Sequence, residues 1–169
     1  PEDNREIFDA RLVDAAGVDK PFLRTGDIGF MQEGELFVCG RLKDMIIIRG
    51  QNIYPEDIEA LALQVYPELR RNGVVAFSSG DGNEMDITLV AEIARGNEMP
   101  DEVEIVRVIR EWLQVPVARV VFVPPRSVAR TSSGKVRRAR TRELLETGQM
   151  PILVDTRHAL AAVRTDGKS

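Results

Sequence analysis

Residues 45–66 read MIIIRGQNIYPEDIEALALQVY, and this stretch decides the fold class. It opens on the apolar run MIII (45–48), which is far too short to span a bilayer and has the length of a buried strand. Pro55, Glu56 and Asp57 then mark a helix start, because proline suits the first turn and carboxylates complement the positive end of the helix dipole. Apolar residues recur after them with a helical period and form one face: Ile58, Leu61, Ala62, Val65 and Tyr66. The stretch therefore predicts a strand followed by an amphipathic helix.

The alternation of strands and helices continues downstream. GVVAFSS (73–79) and MDITLVAEI (85–93) predict two strands joined by a GDGN turn (80–83), and ARVVFVP (118–124) predicts another. A second helix is expected from Pro100–Asp101 to about Gln114, and a third from near Lys135 to Gly148. The apolar residues expected to face inward from the second helix are Val103, Val106, Ile109, Trp112 and Leu113. We predict an α+β domain over residues 44–148, with a central β-sheet flanked by about three helices, and a tail or linker over 149–169.

The first 43 residues contain no convincing helix pattern. IFDARLV (7–13) and GELFVCG (34–40) predict strands, with QEG (32–34) as a tight turn before the second. Cys39 is expected to be buried in that second strand. About forty residues of strand and turn cannot close a hydrophobic core alone. We therefore interpret residues 1–43 as the strand-rich edge of a larger domain that is missing from this chain.

Composition narrows the function classes. The chain has 43% hydrophobic and 30% charged residues and a net charge of -4, which is typical of a soluble globular protein and disfavours nucleic acid as a partner. A single cysteine allows no internal disulfide and fits a reducing cytoplasm, and there is no cysteine/histidine cluster for a structural zinc. A single histidine, in the polar tail, disfavours serine–histidine and cysteine–histidine catalysis. The basic run KVRRARTR (135–142) is expected mainly as a solvated helix face. A nucleic-acid patch, or a docking surface for an acidic carrier protein or a pantetheine phosphate, stays an alternative.

Three motifs stand in order along the chain: LRTGD (23–27), GRLKDMIIIRGQNIYPEDIE (40–59) and RTSSGK (130–135). Together they resemble the C-terminal third of the adenylate-forming superfamily, which includes acyl-CoA synthetases, peptide-synthetase adenylation domains and luciferases. Within this superfamily, the sequence of residues 22–59 looks most like that of the fatty acyl-AMP ligases. The resemblance implies that residues 1–43 end a large adenylating domain and that 44–148 form the small mobile domain that swings over it.

The resemblance also implies an activity. The enzyme would use ATP to convert a fatty acid into an acyl-adenylate and pass the acyl group to the phosphopantetheine of an acyl carrier protein. Mg²⁺ would be held mainly by ATP and by the N-terminal domain. Two alternatives remain: a fatty acyl-CoA synthetase with CoA as acceptor, and a catalytically silent, adenylate-forming-like regulatory module.

Three residues are implied to contact the nucleotide. Asp27 and Arg41 would bind the ribose, since a carboxylate can accept from both hydroxyls of a diol and a guanidinium offers a fixed fork of donors. Lys135 would be the catalytic cation, on a flexible loop of small polar residues, placed against the carboxylate and the α-phosphate. From the residues alone, the alternative for Asp27 is an aspartate in a Gly-Asp turn. The alternative for Arg41 is a surface ion pair, and for Lys135 it is a surface lysine at a helix start. RTSSGK does not fit a phosphate-binding P-loop, because the required upstream glycine and following Ser/Thr are absent.

Four further residues are implied to serve the domain rotation and the acceptor. Lys43, with Asp44 beside it, would be the hinge, since exposed polar residues can pivot without uncovering apolar surface. The alternative is a solvated charge pair. Arg49 and Gly50 would line the tunnel for the acceptor thiol, where many CoA ligases have two adjacent glycines. Ala129 stands where many members have proline.

Overall fold

A computed structural model of the chain describes residues 7–11, 20–80 and 86–156. The chain divides into two compact units, Pro1–Lys43 and Asp44–Ser169. The boundary between them falls between Lys43 and Asp44.

The first unit contains an antiparallel hairpin of β1 (Asp27–Gln32) and β2 (Glu35–Arg41). Glu33 and Gly34 connect the strands, and both have positive φ, 52° and 85°. A two-residue turn with that geometry matches the twist of the strands it joins. The predicted QEG turn and the strand in GELFVCG are therefore confirmed, whereas β1 was not predicted.

Most apolar side chains of this hairpin remain exposed. Phe30 and Phe37 stack with their ring centroids 5.2 Å apart, yet they are 51% and 42% exposed, and Leu36 and Val38 are two-thirds exposed. Cys39 is only half-buried, so its expected core position is wrong. The reason is that the described part of this unit supplies no second layer over the hairpin.

The strand predicted over IFDARLV does not form in the described residues 7–11. Ile7 and Phe8 are in a helical turn, and Ala10 makes one isolated bridge with Phe22. Residues 12 and 13 of that prediction lie outside the described residues. The apolar alternation was therefore misleading, because a strand requires a neighbour along its whole length.

The second unit is built on a four-stranded mixed sheet. Its order is β5 (Leu69–Ser79), β6 (Asp86–Ile93), β7 (Val117–Val123) and β8 (Val154–Asp155), and only the β6–β7 pair is parallel. The helices are α1 (Pro55–Val65), α2 (Glu102–Leu113) and α3 (Arg138–Glu146), and a short hairpin of β3 (Ile46–Ile48) and β4 (Gln51–Ile53) precedes α1. The predicted α+β class, a central sheet flanked by three helices, is confirmed.

Two apolar clusters divide the sheet's neighbours between its faces. One contains Leu89 and the buried faces of α1 and α2, such as Ile58 and Ile109. The other contains Val90 and Leu145 of α3. Since consecutive strand residues point to opposite faces, α1 and α2 cover one face and α3 covers the other.

The phase of α2 differs from the prediction. Asp101 caps this helix by accepting hydrogen bonds from the backbone N–H groups of Val103 and Glu104. The buried residues are Ile105, Val106 and Ile109, whereas Val103 is 47% and Trp112 is 70% exposed. Val103 and Trp112 were therefore wrongly expected to face inward, because Ile105 lies at the centre of the buried stripe instead.

Two boundaries also differ from the sequence-based expectations. Helix α3 begins at Arg138 rather than near Lys135, since Arg130 and Val136 pair in an isolated antiparallel bridge that keeps this segment non-helical. In the segment expected to be a tail or linker, Asp155 belongs to β8 and Thr156 is buried, with its Oγ1 accepting from Val120 N. Residues 157–169, and most of the GDGN turn, lie outside the described residues. No helix in the described ranges is long and apolar enough to cross a bilayer.

Candidate functional site

The lysine loop, residues 130–135, forms a hydrogen-bonded turn. Thr131 N donates to the Lys135 carbonyl at 2.8 Å, and Lys135 N donates to Thr131 Oγ1 at 3.0 Å. Gly134 supplies the positive φ, 83°, that closes the turn. The Lys135 side chain is exposed at its end. The loop therefore presents an ammonium group from a hydrogen-bonded turn.

Arg130 anchors the base of this loop to the sheet. Its Nη2 donates to Glu92 Oε2 at 3.1 Å and to the Asn72 carbonyl at 2.8 Å. Glu92 is fully buried, and it also accepts from Arg70 at 2.8 Å and from Val128 N at 2.9 Å. The loop is thus tied to β5 and β6 through one buried carboxylate.

The surroundings of Glu92 favour its charged form. Burial alone would raise its pKa, but hydrogen bonds from the backbone N–H groups of Val128 and Arg126, and from the side chains of Arg70 and Arg130, outweigh burial and lower the pKa below its ordinary value. Sequence analysis missed Glu92. The signal was present, because Glu92 is the single charged residue in the mostly apolar run ITLVAEI.

Gly73 shows how tightly this carboxylate is packed. A Cβ added at Gly73 would lie 2.8 Å from Glu92 Cβ and 3.0 Å from Glu92 Oε2. Only a residue without a side chain leaves room for Glu92 at this point of β5.

Asp27 and Arg41 lie opposite each other at the open end of the β1–β2 hairpin. They are Cα partners, and Arg41 Nε is 3.1 Å from Asp27 Oδ1. Their side chains are 37% and 54% exposed, so the pair is accessible. A cavity of about 350 Å³ beside Arg41 is lined by Thr25, Gly26, Arg41, Leu42 and Lys43. The two residues expected to bind ribose are therefore adjacent, and they form an ion pair with each other.

The two expected hinge residues lie on either side of the boundary between the units. Lys43 is exposed, whereas Asp44 is half-buried. Asp44 Oδ2 accepts from Arg138 Nη1 at 3.1 Å. The carboxylate of Asp44 is therefore bound within the second unit, to the first residue of α3.

Arg138 is the centre of a group that we call the arginine clamp, defined as Arg138 with Asp44, Glu56, Glu59 and the Ala76 carbonyl. Arg138 Nη2 donates to Glu59 at 2.8 Å and to Glu56 at 3.2 Å, and its Nε donates to the Ala76 carbonyl at 2.8 Å. The Arg138 side chain is 14% exposed. Burial raises the pKa of Glu59, although the nearby guanidinium opposes this rise.

The clamp changes the interpretation of the basic run 135–142. A mainly solvated helix face was expected, but Arg138, the first residue of α3, is largely buried. Arg140 and Arg142 do lie on the exposed side, where they pair with Glu143 and Glu146. Much of the positive charge in this run is therefore already paired within the chain.

Arg49 and Gly50 form the two-residue turn between β3 and β4. Their φ angles are 52° and 78°, and Ile48 pairs with Gln51 directly behind them. A Cβ on Gly50 would meet open space. Gly50 is therefore required for its backbone conformation rather than for close packing. Arg49 adopts a backbone conformation that residues other than glycine rarely take.

Within the described residues, no group of three or more His, Cys, Asp or Glu side chains could hold a metal ion. The carboxylates of the arginine clamp face a guanidinium instead.

Comparison with known proteins shows the family. The chain is 38% identical over 146 residues to the medium-chain fatty acid–[acyl-carrier-protein] ligase JamA of Moorena producens, covering 83% of this chain and 24% of JamA. It is 39% identical over 150 residues to FadD21 of Mycobacterium tuberculosis, described as a putative fatty acid–CoA ligase, covering 82% of this chain and 25% of FadD21. The chain thus spans about a quarter of the length of these relatives. No protein-family model matches it.

A solved structure agrees with these relatives. The fatty acid AMP ligase from Legionella pneumophila is 36% identical, with a TM-score of 0.50, and the match covers 92% of this chain and 27% of that one. The relatives and this solved structure indicate the same family. The chain belongs to the adenylate-forming superfamily, in which it corresponds to the C-terminal region, and it is similar to fatty-acid ligases.

Proposed function

We propose that this chain is the C-terminal part of an ATP-dependent, AMP-forming fatty-acid ligase that makes an acyl-adenylate and passes the acyl group to the phosphopantetheine of an acyl carrier protein. The observation that carries the proposal is the exposed Lys135 on a hydrogen-bonded loop that is tied to the sheet through Arg130 and Glu92. The carrier-protein acceptor is supported by the similarity to JamA.

Lys135 is the proposed catalytic cation of the first half-reaction. The fatty carboxylate attacks the α-phosphorus of ATP and pyrophosphate leaves, so two anions must approach each other. An ammonium group between them stabilises the transition state more than the separated ground state. Lysine suits this task because it is a compact point charge on a long stem. An anchored loop adds preorganisation, since the backbone does not have to be ordered during the reaction.

Asp27 and Arg41 are proposed to bind the ribose. Their ion pair holds both side chains at the same end of the hairpin. Asp27 can still accept hydrogen bonds from a diol, because the ion pair engages Oδ1 and a carboxylate has two oxygens. The remaining contacts to ATP, including those that hold Mg²⁺, would come from ATP itself and from an N-terminal domain of the kind the relatives possess.

The domain arrangement proposed here follows from these roles. Residues 1–43 end the large adenylating domain, 44–148 form the mobile domain, and 149–169 form a tail or linker. Lys43 is the pivot, with Asp44 beside it. After rotation, the Arg49–Gly50 turn lines the tunnel for the acceptor thiol. We place the whole protein in the cytoplasm.

CoA is the second candidate acceptor, because FadD21 is described as a CoA ligase and is as similar to this chain as JamA is. A silent regulatory module is less favoured, since Asp27, Arg41 and Lys135 are all present. The test uses the parent ligase, meaning a polypeptide that joins this chain to the N-terminal part found in its relatives.

The parent ligase is incubated with ATP, a fatty acid and either CoA or a phosphopantetheinylated carrier protein. The proposal predicts fatty-acid-dependent pyrophosphate release and an acyl thioester on the carrier. A thioester on CoA alone would select the second candidate. No fatty-acid-dependent pyrophosphate release, with a set of fatty acids from short to long, would contradict the enzymatic proposal as a whole.

A further inference from the structure

The arginine clamp connects the unit boundary to the segment that bears Lys135. Arg138 follows Lys135 by three positions and is the first residue of α3. Its guanidinium contacts the first residue of the second unit, Asp44, together with α1 and β5. One side chain therefore joins the residue next to the proposed pivot, the sheet and the start of the helix behind the lysine loop.

The contacts of the guanidinium are unequal. Glu59 and the Ala76 carbonyl each accept at 2.8 Å, and Glu59 also accepts from Ala76 N at 2.8 Å, so these groups fix the fork by themselves. Asp44 at 3.1 Å and Glu56 at 3.2 Å then bind a cation that is already held. The position of the fork is thus set by the core, and the Asp44 carboxylate is immobilised against it.

Three carboxylates face the guanidinium of the clamp. Asp44 accepts from Nη1, whereas Glu56 and Glu59 share Nη2. Asp44 and Glu56 are similar in distance to Arg138 and are 25% and 42% exposed. Of these two, only Asp44 adjoins Lys43 at the boundary between the units.

We propose that Arg138 is a positioning residue that fixes Asp44 as part of the second unit, so that rotation is confined to Lys43 and Lys135 keeps a constant relation to the pivot. The catalytic use of this rotation rests on the proposed function. The physical consequence does not depend on that function: the hydrogen bond from Arg138 to the Asp44 carboxylate restrains the segment around Asp44.

The first test is local and uses the 169-residue chain. Hydrogen exchange, followed by mass spectrometry, is measured for peptides covering residues 42–49 in wild type, Asp44→Ala and the matched control Glu56→Ala. We expect exchange about 10-fold faster in Asp44→Ala, because freeing the carboxylate removes the bond that holds this segment. Glu56→Ala should leave these peptides unchanged, and the peptides of β6 should be unchanged in both variants.

If the peptides exchange at the wild-type rate in Asp44→Ala, or if Glu56→Ala accelerates their exchange equally, the proposed role of the clamp is overturned. Asp44→Asn is the conservative variant, whose side-chain oxygen can still accept from Arg138. It should restore most of the protection. If Asp44→Ala also accelerates exchange across β6, the loss is general unfolding. Asp44→Asn then decides the question, because equal exchange of residues 42–49 in Asp44→Asn and Asp44→Ala would count against the clamp.

The second test concerns the use of the clamp in the parent ligase. Acyl-AMP formation and acyl transfer from supplied acyl-AMP are measured separately. Asp44→Ala should change the ratio of the two rates by at least about threefold, whereas Glu56→Ala should leave the ratio as in wild type. An unchanged ratio in Asp44→Ala would overturn the positioning role. If wild type carries out neither half-reaction, the proposed function fails, but the exchange experiment still decides whether Arg138 fixes Asp44.

Discussion

Glu92 gives the sharpest prediction about stability. Glu92→Gln keeps the shape of the side chain and one oxygen for Val128 N, but it removes the charge that Arg70 and Arg130 share. A hydrogen bond to a charged group contributes about 1.5–3 kcal/mol, and two such bonds are weakened while both arginines can partly turn to water. We therefore expect a loss of about 2–3 kcal/mol in the free energy of unfolding at pH 7.

The loss depends on pH in a defined direction. The pKa of Glu92 is lower in the folded chain than its ordinary value of 4.5. Its charge therefore stabilises the fold fully above that value, and this stabilisation disappears as the pH falls through the folded pKa. The difference between wild type and Glu92→Gln should be constant near neutrality and should shrink below about pH 4.5.

Urea unfolding followed by far-ultraviolet circular dichroism measures both effects. Fluorescence is less suitable, because Trp112 is 70% exposed in the folded chain. The control is Glu104→Gln, which removes an exposed carboxylate paired with Arg107 in α2 and should have no measurable effect. Equal losses in the two variants, or a Glu92→Gln loss that persists unchanged to pH 3, would refute the argument that a buried charge anchors the lysine loop.

The remaining predictions test local geometry by urea unfolding. Gly50→Ala should cost about 1 kcal/mol, because φ is +78° while the added Cβ meets open space, and Gly73→Ala should cost more, because its Cβ would collide with Glu92. Equal costs would show that packing around Glu92 is looser than described. Asp101→Ala should cost about 1 kcal/mol through loss of the α2 cap, with Asp101→Asn close to wild type. An effect of the same size in both variants would place the loss elsewhere than in the cap.

Much of the second unit could be predicted because its local signals agree. Pro55 and the following apolar face define α1, and Pro100–Asp101 mark the start of α2. The errors arose where a local pattern had to be decided by packing. Trp112 and Val103 are apolar, but the sheet takes the stripe that contains Ile105. The start of α3 was displaced because a bridge between Arg130 and Val136 competes with the helix, and a single isolated bridge leaves no periodic signal.

The candidate site divides in the same way. Motifs pointed to Lys135, Asp27 and Arg41 as candidate site residues, because each lies in a stretch that resembles a family motif. The residues that hold the lysine loop and Asp44 were missed. Glu92 and Arg138 act through contacts with partners 22 to 94 positions away in the sequence, and no spacing rule reports such pairs. The first unit was understood only as an edge, since its apolar hairpin has no covering layer among the described residues.

The most direct test of the central proposal measures the two half-reactions of the parent ligase with Lys135→Ala. Pyrophosphate release reports acyl-AMP formation, and thioester formation from synthetic acyl-AMP reports transfer. Arg137→Ala, which removes a neighbouring exposed cation, serves as the matched control. We predict that Lys135→Ala slows acyl-AMP formation by roughly 10²- to 10³-fold, the effect of losing one preorganised electrostatic contact, and leaves transfer within a few-fold of wild type. Equal losses in both half-reactions, or an equal effect of Arg137→Ala, would contradict the assignment of Lys135 as the catalytic cation.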